Sequence, residues 1–313
     1  MQRTNGSTAT QFTTVPAATW SDHLRTVPQY LLPQRLISSL VYRLARARIP
    51  WLKDLLIRAF IQHFKVDMAE AADPNPQMYP DFNHFFTRAL RLGTRPIANG
   101  AGVVSCPVDG FVSQRGEIAG DTLFQAKGRS FTLQALLADD KEEFDGFRGG
   151  GFATLYLSPK DYHRIHMPLG GTLTQMIHVP GRLFSVSPVT TRVIPRLFAR
   201  NERVAAIFET EVGPMALILV GAINVSSIET VWAGAITPPW GTSIRRWRYP
   251  VDGPDATRLD KGAEVGRFNM GSTVIVLFGK GAVRWNRDIV ADTSVRMGQP
   301  MAEIRVRQIS SSG

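Results

Sequence analysis

The chain has 313 residues, of which 44% are hydrophobic, and a formal net charge of +10 at pH 7. This is enough material for a globular protein with a substantial buried core. The longest apolar stretch, residues 215–223, is far short of the roughly twenty residues of a membrane-spanning helix, and Cys106 is the only cysteine, so an intrachain disulfide is excluded.

The first twenty residues are rich in Thr, Ser and Gln and lack the apolar stretch of a secretory signal. Their single basic residue, Arg3, also makes them a poor mitochondrial presequence. Residues 1–26 are therefore predicted to form a disordered tail.

Residues 27–72 are predicted to form basic amphipathic helices. Apolar residues recur at helical spacing over 36–44 and again over 52–64, and Pro50 separates the two patterns. Residues 1–66 contain nine Arg or Lys and two Asp, so this part supplies +7 of the net +10. Such helices are typical of an interfacial anchor that attracts anionic lipid; the alternative is ordinary packing against the protein's own core.

Nucleic acid is the other partner class that a basic chain suggests. The Arg residues are interleaved with long aliphatic side chains, not with an aromatic array that could stack bases, and no nucleic-acid motif accompanies them. We therefore expect no nucleic-acid partner.

Beyond a Pro-containing linker at residues 73–77, the spacing of apolar residues predicts a helix over Phe82–Leu92. The chain then becomes strand-like, with short apolar runs divided by Gly and Pro turns. These runs cover residues 152–157, 172–179, 204–208, 215–223, 228–233 and 273–278. The predicted fold class is α+β, with one β-rich domain over residues 73–313 preceded by the helical region.

Three short motifs carry possible chemistry, and the first is the turn Pro107-Val108-Asp109-Gly110. A carboxylate in such a turn can orient an imidazole through Nδ1, so that Nε2 takes a proton from a serine. By itself, the same sequence is an ordinary turn.

The second motif is the block 156–168, Tyr-Leu-Ser-Pro-Lys-Asp-Tyr-His-Arg-Ile-His-Met-Pro, which places Asp161, His163 and His166 within six positions. No Cys cluster or second His pair is available to complete a tetrahedral metal site, so no metal is predicted. A simpler alternative is that the two histidines bind backbone carbonyls near the end of a strand.

The third motif is Gly271-Ser272-Thr273, at the entrance of an apolar run. Ser272 Oγ can attack the Gly271 carbonyl, because a residue without a side chain leaves room for that approach. The resulting ester can eliminate the Gly271 carboxylate, and hydrolysis then leaves a pyruvoyl group, an electron sink made from the chain itself. Alone, the tripeptide more often marks a turn that opens a strand.

Taken together and in this order, the three motifs resemble the phosphatidylserine decarboxylases of bacteria. Other stretches resemble that family as well, and the resemblance runs from about Val27 to about Ile304. These other stretches are residues 123–128, 179–186, 197–203 and 228–234. One departure is visible: the family commonly has Leu where this chain has Met270, a near-isosteric exchange.

The resemblance implies a role for each candidate residue. Ser272 is the nucleophile of self-cleavage and becomes the pyruvoyl cofactor, His166 is its base, and Asp109 orients His166. His163 and Asp161 lie at the active site, and His163 protonates the carbanion that remains after carbon dioxide leaves. The substrate amine would condense with the pyruvoyl ketone as a Schiff base, and phosphatidylethanolamine would be released.

The resemblance also implies partners and a location. The partners are phosphatidylserine and an anionic membrane surface, and the chains 1–271 and 272–313 are expected to stay associated after cleavage between Gly271 and Ser272. A homo-oligomer is left open. The expected location is the cytoplasmic face of the bacterial plasma membrane, where the protein would be peripheral.

Three alternatives remain open. A serine hydrolase could use Asp109, His166 and Ser272 on external esters, but the pattern Gly-x-Ser-x-Gly is missing around Ser272. A non-enzymatic membrane-binding module would bind anionic vesicles without cutting itself. Another pyruvoyl-dependent decarboxylase could act on a small amino acid. A hydrolase or a binding module would keep one intact chain, which distinguishes both from a decarboxylase that cuts itself.

Overall fold

A computed structural model describes residues 17–138, 144–223, 227–238, 241–269 and 272–305. Most helices of the described residues lie in the N-terminal part. The helices are α1 (Trp20–Thr26), α2 (Gln34–Ala45), α3 (Pro50–Phe64), α4 (Phe82–Phe86), α5 (Leu133–Leu137), α6 (Pro188–Val193) and α7 (Leu197–Arg200). Short 3₁₀ helices occupy Val27–Tyr30, Met68–Glu70, Pro76–Met78 and Asp145–Phe147.

The rest of the described chain is built mainly of strands. They are β1 (Val103–Ser105), β2 (Gly110–Glu117), β3 (Thr122–Ala126), β4 (Arg129–Thr132), β5 (Gly151–Leu157), β6 (Arg164–His166), β7 (Gly171–Val179), β8 (Arg203–Thr210), β9 (Gly213–Val220), β10 (Ile228–Thr230), β11 (Gly234–Thr237), β12 (Arg245–Arg248), β13 (Arg258–Leu259), β14 (Glu264–Phe268), β15 (Ser272–Phe278), β16 (Val283–Trp285), β17 (Ser294–Val295) and β18 (Pro300–Ile304). Helices followed by a β-rich part confirm the predicted α+β class.

The largest sheet has the strand order β12-β7-β8-β9-β15-β5-β2-β17, with β13 paired to β7. A second sheet has four strands in the order β11-β10-β14-β6. Strand β6 lies within the block 156–168, here called the histidine block, and β14 precedes Ser272 in the chain. Strand β15 is fully buried and pairs antiparallel with both β5 and β9. Its apolar side chains belong to the main core, which explains why the run 273–278 is almost continuously apolar.

Two N-terminal predictions differ from the structure. Helix α1 lies inside the segment predicted as a disordered tail, because Thr19 and Asp22 form a capping box at its start and Asp22 pairs with Arg192; residues 1–16 lie outside the described residues. The helix predicted over Phe82–Leu92 ends at Phe86. Leu90 instead bridges to Ala71 as an extended pair.

A small aromatic core joins the helices to the β-rich part. Phe60 of α3 packs its ring against Phe82, Phe85 and Phe86 of α4, with centroid distances of 5.2 to 5.9 Å. The Phe86 ring in turn lies 4.2 Å from the His163 ring. Helix α3 is thus packed, through one aromatic layer, against the histidine block.

Candidate functional site

The three sequence motifs meet at the carboxyl end of strand β5. Ser272 begins β15 opposite Leu157, and β2, which begins at Gly110, pairs with the other side of β5. The loop that follows β5 carries the histidine block. Strand order therefore places Asp109 and Ser272 on the two sides of the strand that leads into His163 and His166.

Gly110 is required for this arrangement. Its φ is +151°, and a Cβ built on it would lie 2.1 Å from the carbonyl oxygen of Tyr156. Only glycine lets β2 approach β5 this closely, and that approach brings the neighbouring Asp109 to the end of β5.

Ser272 is completely buried, and its Oγ has no hydrogen-bond partner in the described residues. Most buried hydroxyls are paired, so an unpaired one calls for an explanation, and a role in a reaction is one such explanation. Gly271, the other half of the predicted cleavage site, lies outside the described residues, as does Met270.

His166 is held with a defined tautomer. Its Nδ1 is 2.8 Å from the Gly262 carbonyl oxygen, which can only accept, so Nδ1 carries the proton. Nε2 then accepts from the Tyr162 hydroxyl at 3.0 Å. Burial lowers the pKa of His166. The imidazole is thus neutral, with its basic nitrogen facing a weak donor, as a general base requires.

His163 is fully buried and also neutral. Its Nδ1 is 2.8 Å from the Asp161 carbonyl oxygen, so Nδ1 carries the proton and Nε2 has a free lone pair. That Nε2 is buried without a partner. Burial lowers the pKa of His163 to about 3. In this form, the ring can accept a proton at Nε2 but cannot donate one there.

The Asp161 carboxylate closes the turn before the histidines, since its Oδ2 accepts from the Ser158 backbone N–H at 2.7 Å. Burial raises the pKa of this carboxyl. Its backbone carbonyl fixes His163, so Asp161 contributes through main chain and side chain alike.

Asp109 does not make the hydrogen bond that the sequence predicts. Its two carboxylate oxygens accept from Arg95, at 2.9 Å from Nε and 2.6 Å from Nη2, and Oδ1 also accepts from the Met297 backbone N–H. The nitrogen of His166 that it was expected to hold faces Gly262 instead. The physical reason is that Arg95, itself paired with Glu70 at 2.7 Å, offers a stronger bidentate partner.

Sequence reasoning assigned no role to Tyr162, Gly262 or Arg95. Tyr162 lies inside the histidine block, and its position between Asp161 and His163 is the one sequence signal that indicates a role for it. Arg95 and Gly262 are far from the motifs in sequence, and only the fold brings them in. Within the described residues, no three His, Cys, Asp or Glu side chains group together as metal ligands.

Known proteins that are similar to this chain belong to one family. The family model described as phosphatidylserine decarboxylase matches residues 82–303, and a second, described as PSD, matches residues 24–65. The chain is 52% identical over 284 residues to the phosphatidylserine decarboxylase proenzyme of Shewanella sediminis, covering 90% of this chain and 99% of the relative. It is 53% identical to the proenzymes of Shewanella baltica and Azotobacter vinelandii over 91% of this chain and 98% and 99% of theirs.

Proposed function

The chain belongs to the phosphatidylserine decarboxylase family, and we propose that it matures by cutting its own peptide bond between Gly271 and Ser272. It is a carboxy-lyase that converts phosphatidylserine to phosphatidylethanolamine and carbon dioxide. The observation that carries the proposed cleavage is the buried Ser272 Oγ, which has no partner at the end of β5. Phosphatidylethanolamine formation from phosphatidylserine vesicles tests the decarboxylase activity, and fragment masses measured on the same sample test the cleavage.

The surroundings of Ser272 fit a pyruvoyl group. Ser272 Oγ, at the start of β15, and His163 Nε2, in the loop after β5, are both buried polar atoms without a partner in the described residues, and a reacting group that uses them would account for this state. The ketone of that group supplies an electron sink for the electron pair that carbon dioxide leaves behind.

His166 serves the cleavage as the base. Its Nε2 takes the proton of Ser272 Oγ, directly or through the Tyr162 hydroxyl, as Oγ attacks the Gly271 carbonyl. The ester that forms loses the Ser272 Cα proton and expels the Gly271 carboxylate, and water then replaces the nitrogen of residue 272, which leaves as ammonia. The Gly262 carbonyl keeps Nδ1 protonated throughout, so Nε2 stays available.

His163 serves the decarboxylation as a proton carrier. A serine head group arrives with an ammonium, which must lose a proton before its nitrogen can attack a ketone. His163 Nε2, with its free lone pair, accepts that proton, and the ring then holds a proton to return to carbon after carbon dioxide has left. Because burial lowers the pKa of His163, the ring is neutral at rest and carries the proton only transiently between the two steps.

Asp109 supports His166 by charge and through the loop it anchors. We expect Asp109→Asn to slow self-cleavage at least about 10-fold, because a neutral amide cannot keep the ion pair with Arg95 or favour a protonated His166. The fraction of cut chain over time, read by intact mass, checks this result. Asp255→Asn, at an exposed position, is the control. Wild-type cleavage in folded Asp109→Asn protein would remove Asp109 from the mechanism.

The products of cleavage are expected to remain associated as one particle. Strand β15 starts at Ser272 and pairs along its length with β5, and from Thr273 onward also with β9. Its side chains lie in the main core. Separation of residues 272–313 from residues 1–271 would expose that core, which hydrophobic burial opposes.

We further propose peripheral attachment to an anionic membrane, on the cytoplasmic face of the bacterial plasma membrane. The support is an apolar surface on the N-terminal helices, which leaves its large side chains exposed. It is made of Trp20, Leu24, Val27, Leu31, Leu36, Leu40, Leu44, Trp51 and Leu55, here called the N-terminal apolar surface. In α2, this stripe faces outward while Gln34, Ser38 and Ala45 are buried, so the helix does not use its apolar face to cover the core.

The basic side chains of the N-terminal helices also support membrane attachment. Arg35, Arg43 and Arg48 are exposed beside the N-terminal apolar surface, where they would attract anionic lipid at about 1 kcal/mol each. None of the helices in the described part of the chain is long and apolar enough to cross a membrane.

We expect replacement of both Leu36 and Leu40 by Ser to weaken binding to phosphatidylglycerol-containing vesicles about 10-fold or more, since each buried Leu is worth about 1.5–3 kcal/mol. Vesicle co-sedimentation measures the effect. Leu92→Ser is a matched control, because Leu92 is 99% exposed but lies outside the N-terminal apolar surface. Equal vesicle binding by the double variant and the control would contradict the proposed attachment.

A further inference from the structure

Arg88 is a buried cation without an anionic partner. The residue follows helix α4 and is only 5% exposed. Its Nη2 donates to the Lys160 carbonyl oxygen at 3.1 Å, and its guanidinium carbon lies 5.5 Å from the centre of the Phe85 ring. Nε and Nη1 are buried and have no hydrogen-bond partner, and Arg88 forms no ion pair within the described residues.

This arrangement is costly as it stands. A buried charge is normally paired and hydrogen-bonded, because its lost hydration must be replaced. Burial lowers the pKa of Arg88 and is the largest influence on it, while Tyr79, Asp109, Glu70 and Asp161 raise that pKa only by charge at a distance. Two unpartnered nitrogen atoms on a buried guanidinium therefore indicate a missing acceptor.

The surroundings of Arg88 place that acceptor at the candidate site. Arg88 lines a cavity of about 240 Å³ together with Asp109, Asp161 and Tyr162. Lys65, at the end of helix α3, lines the same cavity. The cavity thus extends from Asp109, Asp161 and Tyr162 of the candidate site to the carboxyl end of helix α3.

We propose that Arg88 binds an anionic oxygen of the phosphoserine head group through one edge of its guanidinium, where Nε or Nη1 acts beside the second N–H of Nη2, a contact that rests on the proposed function. A guanidinium presents a planar fork that matches two oxygens of one phosphate or carboxylate. The substrate contains both groups, and both offer the anionic oxygen acceptors that Arg88 lacks. Arg95 cannot replace it, since its side chain is already engaged by Asp109 and Glu70.

The test compares processed wild-type enzyme with Arg88→Gln and Arg88→Lys, each normalised to its pyruvoyl content. We expect kcat/KM for phosphatidylserine to fall about 10- to 100-fold in Arg88→Gln, the worth of one charge-assisted hydrogen-bond pair. Arg88→Lys should recover part of the loss, because it restores the charge without the fork. Arg91→Gln, three residues on and exposed, is the matched control.

Two inhibitors identify the oxygen that is bound. sn-Glycero-3-phosphoethanolamine offers phosphate without carboxylate, and L-serine offers carboxylate without phosphate. If Arg88 binds phosphate, the first inhibitor weakens in Arg88→Lys and the second does not. If it binds carboxylate, the pattern is reversed. Either pattern supports the proposal.

A kcat/KM in Arg88→Gln equal to that of Arg91→Gln would overturn the proposal. So would failure of both Arg88 variants to fold or to cut themselves, because the cation would then be a structural element. The proposed cleavage is tested separately, on the wild-type protein. If the cleavage proposal is wrong, the wild-type protein gives no fragments. If only the Arg88 proposal is wrong, the wild-type protein is still cut and active.

Discussion

Ser272→Ala is expected to remain a single chain of 313 residues with no decarboxylase activity. The substitution removes the hydroxyl that the proposed cleavage uses, and alanine cannot form the ester from which the pyruvoyl group arises. The fold should persist, because Ser272 Oγ makes no hydrogen bond that the variant would lose. Intact mass and carbon dioxide release measure the two losses.

Ser243→Ala is a suitable control for Ser272→Ala, since Ser243 is exposed and far along the chain from the strand that begins at Ser272. The control should be cut and active like wild type. Recovery of chains 1–271 and 272–313 from Ser272→Ala would remove Ser272 from the cleavage and with it the proposed origin of the cofactor.

His163→Gln is expected to separate the two halves of the chemistry. The variant should still cut itself, because the cleavage uses His166, but carbon dioxide release per pyruvoyl group should fall about 10²- to 10⁴-fold, the usual contribution of a positioned proton carrier. Glutamine approximates the volume of the ring that packs on Phe86 and has no basic nitrogen. Intact mass reports the first step, and carbon dioxide release the second.

His63→Gln provides the comparison for this variant, because His63 is exposed at the end of α3. Two results would count against the assignment of His163. An uncut His163→Gln chain would place the residue in maturation, and undiminished turnover would show that another group carries the proton.

The strands were the part of the fold most readily predicted. The runs at 152–157, 172–179 and 273–278 each differ from their strands by one residue at the start, because a strand buried on both faces has a nearly continuous apolar sequence and a partly buried strand has an alternating one. The helix at 82–92 was overextended, since the period of its apolar residues continues past Phe86 while Thr87 turns its hydroxyl back to the Asn83 carbonyl and ends the helix.

The candidate residues were found from local patterns, but their partners were not. Asp109, His163 and His166 lie in short motifs whose spacing has chemical meaning. Gly262 and Arg95, which decide how His166 and Asp109 are held, are distant in sequence and belong to no motif. Pairing across a sheet or between loops depends on the whole topology, and periodicity alone does not report it.

The outward face of α2 could also not be decided from sequence. Its pattern fits both an anchor and a packed helix, and the two differ only in what the apolar stripe meets. Burial of Ser38 and exposure of Leu40 show that the stripe does not cover the protein's own core.

The most direct test of the account is intact mass measurement of the wild-type protein after incubation with phosphatidylserine vesicles, with and without reductive amination. The account predicts chains 1–271 and 272–313, the second lighter than its sequence by one ammonia and shifted by one captured amine after reduction. A single full-length chain that takes up no amine under the same conditions would contradict it.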